Sequence, residues 1–384
     1  MPPWPPGPES PEFVGQDGRR LSDEEIGTLV EWARSGARVD GAALQAAPPE
    51  TLVARRGGWV SSLSSPRGYR PQHEGDDYRC FLLDMSLDGR AYVTSAMIRP
   101  GVPSMVHHVI LFRAKPDQVE EAKRLDARSG VAGWRCFGGT GLGVDVESLD
   151  DAGWIAAWAP GGGPVRYRGG TGAELEAGGG IVMQVHYNRR NELKLDRTEV
   201  HLTLVSGSAD LEPATTMLVP GPVELPCADG EQGPLCDRGA AIADLVAKRG
   251  RSAALLPAGL QLLCGGSPFG APTASPVSSC DRGFDARTTI HGVAGHMHLL
   301  GRSIRVELNP STDRSRVLLD IPRWDFRWQN AYTFAEPVVA EPGDRVRVTC
   351  RHDASLRKGL PRYVVWGEGT TDEMCLGVLQ VTRG

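Results

Sequence analysis

Among the eight cysteines of the 384-residue chain, no two are spaced C-x-x-C. That absence removes zinc ribbons, thioredoxin-like redox pairs and haem attachment, each of which needs the motif. Neither sign of charge is concentrated: 42 Lys and Arg stand against 47 Asp and Glu, a formal charge of −5, with no block of like charges. A nucleic-acid surface needs a basic face to displace phosphate counterions, so that class of partner is excluded. No apolar run approaches the roughly 20 residues that span a bilayer, so no transmembrane helix is expected. The start, Met1-Pro-Pro-Trp-Pro-Pro6, has neither the basic nor the apolar region of an export signal.

What the chain has in excess is turn chemistry. Its 48 glycines and 29 prolines fill about a fifth of all positions, against roughly 12% in an average chain. Short apolar runs between such turns read as β-strands, and the length suits two domains at roughly 100–200 residues each. Strands are expected at 78–85, 91–98, 105–113, 181–187 and 198–205, and in a second set at 286–294, 303–308, 316–321, 345–350 and 374–382. Two successive all-β units are most simply two sandwiches. Helices are expected after Ser22, with Glu25 completing a capping box and Gly36 as the stop, from Pro116, and over 240–248. Residues 37–76, with Pro48-Pro49 and Arg55-Arg56-Gly57-Gly58, read as a linker or an arm packed over a neighbour. The even cysteine count reads as structural disulfides and therefore an oxidising, extracytoplasmic compartment, periplasmic or secreted. Eight cysteines allow 105 pairings, so the count leaves the connectivity open.

Nine histidines stand at 73, 107, 108, 186, 201, 291, 296, 298 and 352. On a strand, residues i and i+2 share a face, so His296 and His298 can present two imidazoles to one ion; two half-exposed surface histidines are the bland alternative. His291 falls on the opposite face of a regular strand unless Gly292 or Gly295 carries a bulge, and reads as a packed or supporting residue. Adjacent His107 and His108 would face opposite ways on a regular strand, so a shared ion needs a local twist. Burying both in the run Met105-Val-His-His-Val-Ile-Leu-Phe112 is nevertheless costly without partners, and a metal would supply one. His186 follows Gln184 on the same face of its strand. By itself a lone strand histidine is more often structural. His73, His201 and His352 receive no chemistry.

Five blocks in order resemble one family: Asp77-Tyr-Arg-Cys80, His107-His108-Val-Ile-Leu-Phe112, Gln184-Val-His-Tyr187, His296-Met-His-Leu-Leu-Gly301 and Gly369-Thr-Thr-Asp-Glu-Met-Cys375. Ala157-Trp-Ala-Pro160 looks like a further shared stretch. The family is the copper type II, ascorbate-dependent monooxygenases, and the resemblance runs from about residue 76 to 384. It implies two tandem jelly-roll-type β-sandwich domains, over 76–208 and 209–384, each holding one copper, behind an N-terminal arm with one helix over 1–75. It implies an electron-transfer copper on His107, His108 and His186 and a catalytic copper on His296, His298 and Met374, with dioxygen, a small organic substrate and ascorbate or another one-electron donor as partners. The expected reaction is hydroxylation of an aliphatic or benzylic C–H bond, the second electron crossing a cleft between the domains.

The chemistry of the donors agrees with that implication. Imidazoles suit copper in both oxidation states, and a thioether favours Cu(I). Without the resemblance, Met374 would read as a packing residue. The resemblance further suggests the disulfides Cys80–Cys136 and Cys350–Cys375, and sequence proximity suggests Cys227–Cys236 and Cys264–Cys280. Where the peptide-amidating member of the family holds a substrate carboxylate, this chain has Ala294, Leu376 and Val378, which points away from a peptidylglycine substrate and toward a less polar one or one anchored elsewhere. Two other classes stay open: a copper-binding or copper-carrying protein without catalysis, and a single zinc site of hydrolytic type. The helix after Ser22 resembles the last helix of a c-type cytochrome domain, without a haem motif. Cysteines that speak for export and a start that lacks a signal are reconciled by a truncated or late chain start, with an export signal upstream.

Overall fold

The computed structural model describes residues 6–14, 21–38, 52–54, 57–72, 76–142, 149–188, 193–266 and 272–384. His73, the prolines 48 and 49, Arg55, Arg56 and the first five residues lie outside that set.

The chain is mostly β. A five-stranded antiparallel sheet is ordered Trp134–Arg135, Asp76–Leu83, Gly180–Asn188, Val106–Ala114, Trp154–Trp158. A second sheet is ordered Gly58–Ser64, Glu199–Ser206, Ala91–Arg99, Thr171–Leu175, Glu212–Pro213, with Val165–Arg166 added to Ala91–Arg99. Inward residues of both, among them Phe81, Leu83, Val93, Val109, Leu175, Met183, Val200 and Leu202, form one core. The second half repeats the plan with two four-stranded sheets, Thr215–Pro220, Leu376–Arg383, Thr288–His296, Ala331–Ala340 and Val277–Gly283, Arg345–His352, Gly301–Leu308, Arg316–Ile321. Ile290, Val293, Ile304, Val306, Leu319, Val348, Leu379 and Val381 fill the space between them. Strands such as Gly301–Leu308 and Arg345–His352 alternate between core and surface, whereas the central strands Ala91–Arg99 and Gly180–Asn188 are buried on both faces.

Three differences from the sequence reading have physical causes. The stretch read as a linker or arm contains a strand, Gly58–Ser64, which pairs antiparallel over seven residues with Glu199–Ser206. It lies at a sheet edge, half-exposed on both faces, so its sequence shows no alternation to detect. The most N-terminal residues pack on the other half: Phe13 is buried against Tyr332 and Phe334, and the Gly7 amide donates to the Asp320 carbonyl at 2.7 Å. A second helix, Ser252–Leu263, follows Arg238–Arg249, although Pro257 inside it removes a hydrogen-bond donor. The helix Asp23–Arg34 has its capping box of Ser22 and Glu25 and buries none of its residues.

All eight cysteines are bonded, as Cys80–Cys136, Cys227–Cys236, Cys264–Cys280 and Cys350–Cys375. The last ties the strand Arg345–His352 to the segment that carries Met374. Among the described residues no helix is long and apolar enough to cross a membrane.

Candidate metal centre

His107 and His108 lie in Val106–Ala114, which pairs with Gly180–Asn188 so that His108 stands opposite His186 and Val106 opposite Tyr187. His107 is the residue in excess, a β-bulge. The extra residue breaks the strict alternation of faces, and it is what brings two adjacent side chains to the same side. The ligand nitrogens of His107, His108 and His186 all lie within 4.8 Å of one another. The Nδ1 atoms of His107 and His186 are 2.7 Å apart.

The partners of His186 define its tautomer. Its Nε2 is 3.0 Å from Asp76 Oδ1, so the N–H points at the carboxylate and the Nδ1 lone pair faces His107. The Tyr78 ring stacks on the imidazole at 4.0 Å between centroids. Burial alone would raise the Asp76 carboxyl, but the bonds from His186 and Thr370 outweigh it and hold the group well below the usual carboxylate range.

His296 is the last residue of its strand, and His298 lies beyond the strand's end. The two rings still come together, 5.1 Å between centroids. The cause is the following turn rather than strand alternation: the Glu373 carboxylate accepts from the backbone amides of His298, Leu300 and Met374, at 2.8 Å for Leu300 and 3.0 Å for Met374. A single buried carboxylate thus gathers the H-x-H turn and the methionine segment. Met374 is buried beside it. His296 Nδ1 meets Gln329 Oε1 at 2.6 Å, and Gln329 Nε2 donates to the Phe326 carbonyl at 2.8 Å, which fixes the amide's orientation. His298 Nδ1 is 3.2 Å from the Asp372 carbonyl. In both rings Nδ1 therefore carries the proton and Nε2 keeps its lone pair.

The two groups face one another. His107 and His298 are 6.2 Å apart between ring centroids, as are His108 and His296, and His107 stacks on Phe326 at 4.7 Å. The sequence reading placed a cleft between the two sites without deciding whether it is open or closed; here the five imidazoles stand side by side. Burial depresses every one of them from the ordinary value of 6.5: His107, His108 and His298 far below it, His296 to about 4, and His186 against the opposing pull of Asp76. Neutral imidazoles are the ligating form. His298 Nε2 and His108 Nδ1 are buried with no hydrogen-bond partner, an arrangement that is costly unless a cation takes the lone pairs. Neutral imidazoles fit a copper ion in either oxidation state.

The other described histidines, His201, His291 and His352, are placed elsewhere. His291 sits at the register shift between Ile290 and Gly292 and meets Thr382 Oγ1 at 3.0 Å. His201 bonds Ser62 Oγ at 2.9 Å on the second sheet. His352 is not in a loop: it ends Arg345–His352 and is buried, with Nε2 3.4 Å from Ser278 Oγ and Nδ1 3.9 Å from Glu373 Oε2. Burial lowers its pKa to about 4. Because the folded value lies below the unfolded 6.5, its contribution to stability is present above pH 6.5 and is lost as pH falls through 4. Between pH 6.5 and 5 that is about 2 kcal/mol. Denaturant melts of metal-free protein at the two pH values, wild type against His352→Gln, are expected to differ in their pH dependence by this amount.

Asp76, Gln329 and Phe326 were not singled out by sequence reasoning, since nothing in their local sequence marks them. Tyr78, Thr370 and Glu373 stood inside shared blocks without a role. Adjacency of Glu373 to Met374 was the one readable signal.

The chain is mostly β and disulfide-bonded, and five imidazoles converge from its two sheet pairs, His107, His186 and His298 buried and His108 and His296 half-buried. Residues 277–380, the segment that contains His296, His298 and Met374, match the family model described as copper type II ascorbate-dependent monooxygenase, C-terminal domain. No curated protein matches the sequence. Among solved structures, the major capsid protein P2 of bacteriophage PM2 aligns over 85% of this chain and 97% of its own at 8% identity and a TM-score of 0.28. Broad bean stain virus aligns over 90% and 95% at 8% identity and 0.29, and allantoicase over 81% and 90% at 12% identity and 0.18. Scores this low carry no argument.

Proposed function

We propose that the protein is a dicopper monooxygenase that hydroxylates an aliphatic or benzylic C–H bond of a small organic substrate, built as two jelly-roll-type domains over 76–208 and 209–384. The observation that carries this reading is the convergence of His107, His108 and His186 with His296 and His298, each with its pKa depressed toward the neutral form. Copper held by these residues would supply one-electron chemistry with dioxygen, the overall reaction consuming R–H, O2, two protons and two electrons from ascorbate or an equivalent donor and giving R–OH and water.

The chain's own residues do the rest. Asp76 and Gln329 hold His186 and His296 in the ligating tautomer. Glu373 keeps the His298 turn against the Met374 segment. Phe326, stacked on His107, excludes water from one side of the compartment. Ala294 pairs with Val378 and His296 with Leu376 across adjacent strands, so the surface beside His296 is apolar. That supports a substrate without a carboxylate to anchor there. The four disulfides support an extracytoplasmic location.

Metal analysis of protein purified without added metal and then reconstituted, coupled to EPR for Cu(II), tests the reading. Two equivalents of copper are expected. Less than one equivalent, or zinc in its place, defeats it. Two equivalents with no hydroxylated product from ascorbate, oxygen and a substrate panel would leave a copper carrier.

A further inference from the structure

Asp76 reaches beyond His186. Its Oδ1 also accepts from Thr370 Oγ1 at 2.7 Å, and its Oδ2 accepts from the Thr370 amide at 2.9 Å. Arg249, at the end of Arg238–Arg249, stands 3.7 Å from Oδ2. Asn188, opposite Asp76 in the sheet, donates from Nδ2 to Thr370 Oγ1 at 3.2 Å. Tyr78, already stacked on His186, donates its hydroxyl to the Glu368 carbonyl. Three side chains of the first sheet therefore grip residues 368–370 of the second half.

The gripped segment is a tight turn. The Asp372 amide donates to the Gly369 carbonyl at 2.8 Å, the Gly369 amide donates to Asp372 Oδ2 at 3.1 Å, and the Gly367 amide donates to the Glu373 carbonyl at 3.0 Å. The turn then delivers the Asp372 carbonyl to His298 Nδ1 and leads directly into Glu373 and Met374. One carboxylate on one sheet thus orients an imidazole of the first group and anchors the turn that orients an imidazole of the second.

We infer that Asp76 is a positioning residue for both histidine groups, acting on His186 directly and on His298 and Met374 through Thr370 and the 367–373 turn. The inference rests on the dicopper reading. Physically it follows from reciprocity: if ordering the turn fixes the Asp76 carboxylate, then loosening the turn must loosen the hold on His186, although Thr370 ligates nothing and belongs to the other half of the molecule. Outer partners of ligating histidines are worth roughly 10–100-fold in metal affinity.

The test measures Cu(I) affinity by chelator competition in a Met374→Ala background, where copper is expected to remain on His107, His108 and His186. Asp76→Asn is expected to weaken that affinity by roughly 10–100-fold. Thr370→Val, which removes the hydroxyl from Asp76, should weaken it by roughly 3–10-fold, Thr370→Ser should restore it, and the double variant should be no weaker than Asp76→Asn alone because both remove one coupled unit. Thermal melts of each variant check that the fold is retained. An affinity unchanged by Thr370→Val in folded protein would overturn the inference and leave Asp76 serving His186 alone, as would an unchanged affinity in Asp76→Asn. A background protein that binds no copper would instead strike the dicopper reading itself, and this inference with it.

Discussion

Replacing Met374 with alanine is expected to abolish substrate hydroxylation while the copper on His107, His108 and His186 stays bound. The residue lies immediately after Glu373, whose carboxylate accepts from its amide and from those of His298 and Leu300. Those are backbone bonds, and alanine keeps all of them, so the turn and the two imidazoles should persist. What is removed is the thioether, the soft donor that favours the reduced metal. Loss of product with retained histidine-bound copper separates the ligand role from general packing, since a core Met→Ala change costs roughly 2–5 kcal/mol of stability wherever it occurs. Copper content, EPR and product analysis on the folded variant decide it; full hydroxylation by Met374→Ala would refute the assignment.

The mirror experiment, His186→Ala, is expected to empty the first group and leave the second loaded. His186 is fully buried, stacked under Tyr78 and bonded to Asp76, so its removal leaves His107 and His108 without their third nitrogen and the Asp76 carboxylate without a donor. Losing a ligand should cost more than the roughly 10–100-fold that attends loss of an outer partner. Turnover should fall by at least about 100-fold, because only one of two electrons can then be delivered from within the protein, while a Cu–S signal from Met374 in X-ray absorption remains. Turnover within about twofold of wild type would show that the first group has no part in the reaction.

How far the site was legible depended on distance along the chain. His107-His108 and H-x-H are local patterns, and each was visible. The reasons they converge were not. A bulge at His107 is decided by the register against Gly180–Asn188, a pairing across some seventy residues. The convergence of His296 with His298 comes from Glu373, not from strand alternation, because the strand stops at His296. Asp76 and Gln329 matter only through what lies across from them in space, and no neighbour in sequence announces it. Gly58–Ser64 escaped detection for a related reason: an edge strand exposed on both faces carries no hydrophobic period.

The sequence by itself determined the mostly β character, through turn residues between short apolar runs, and marked the two histidine pairs as candidate donors, through patterns a few residues long. Tertiary structure alone decided that the five imidazoles stand within ring-to-ring reach of one another, and that an aspartate of one sheet holds a turn of the other. The physical reason is that donor chemistry resides in a side chain, whereas a tautomer, a buried lone pair and a ring-to-ring distance are properties of pairs of residues brought together by packing.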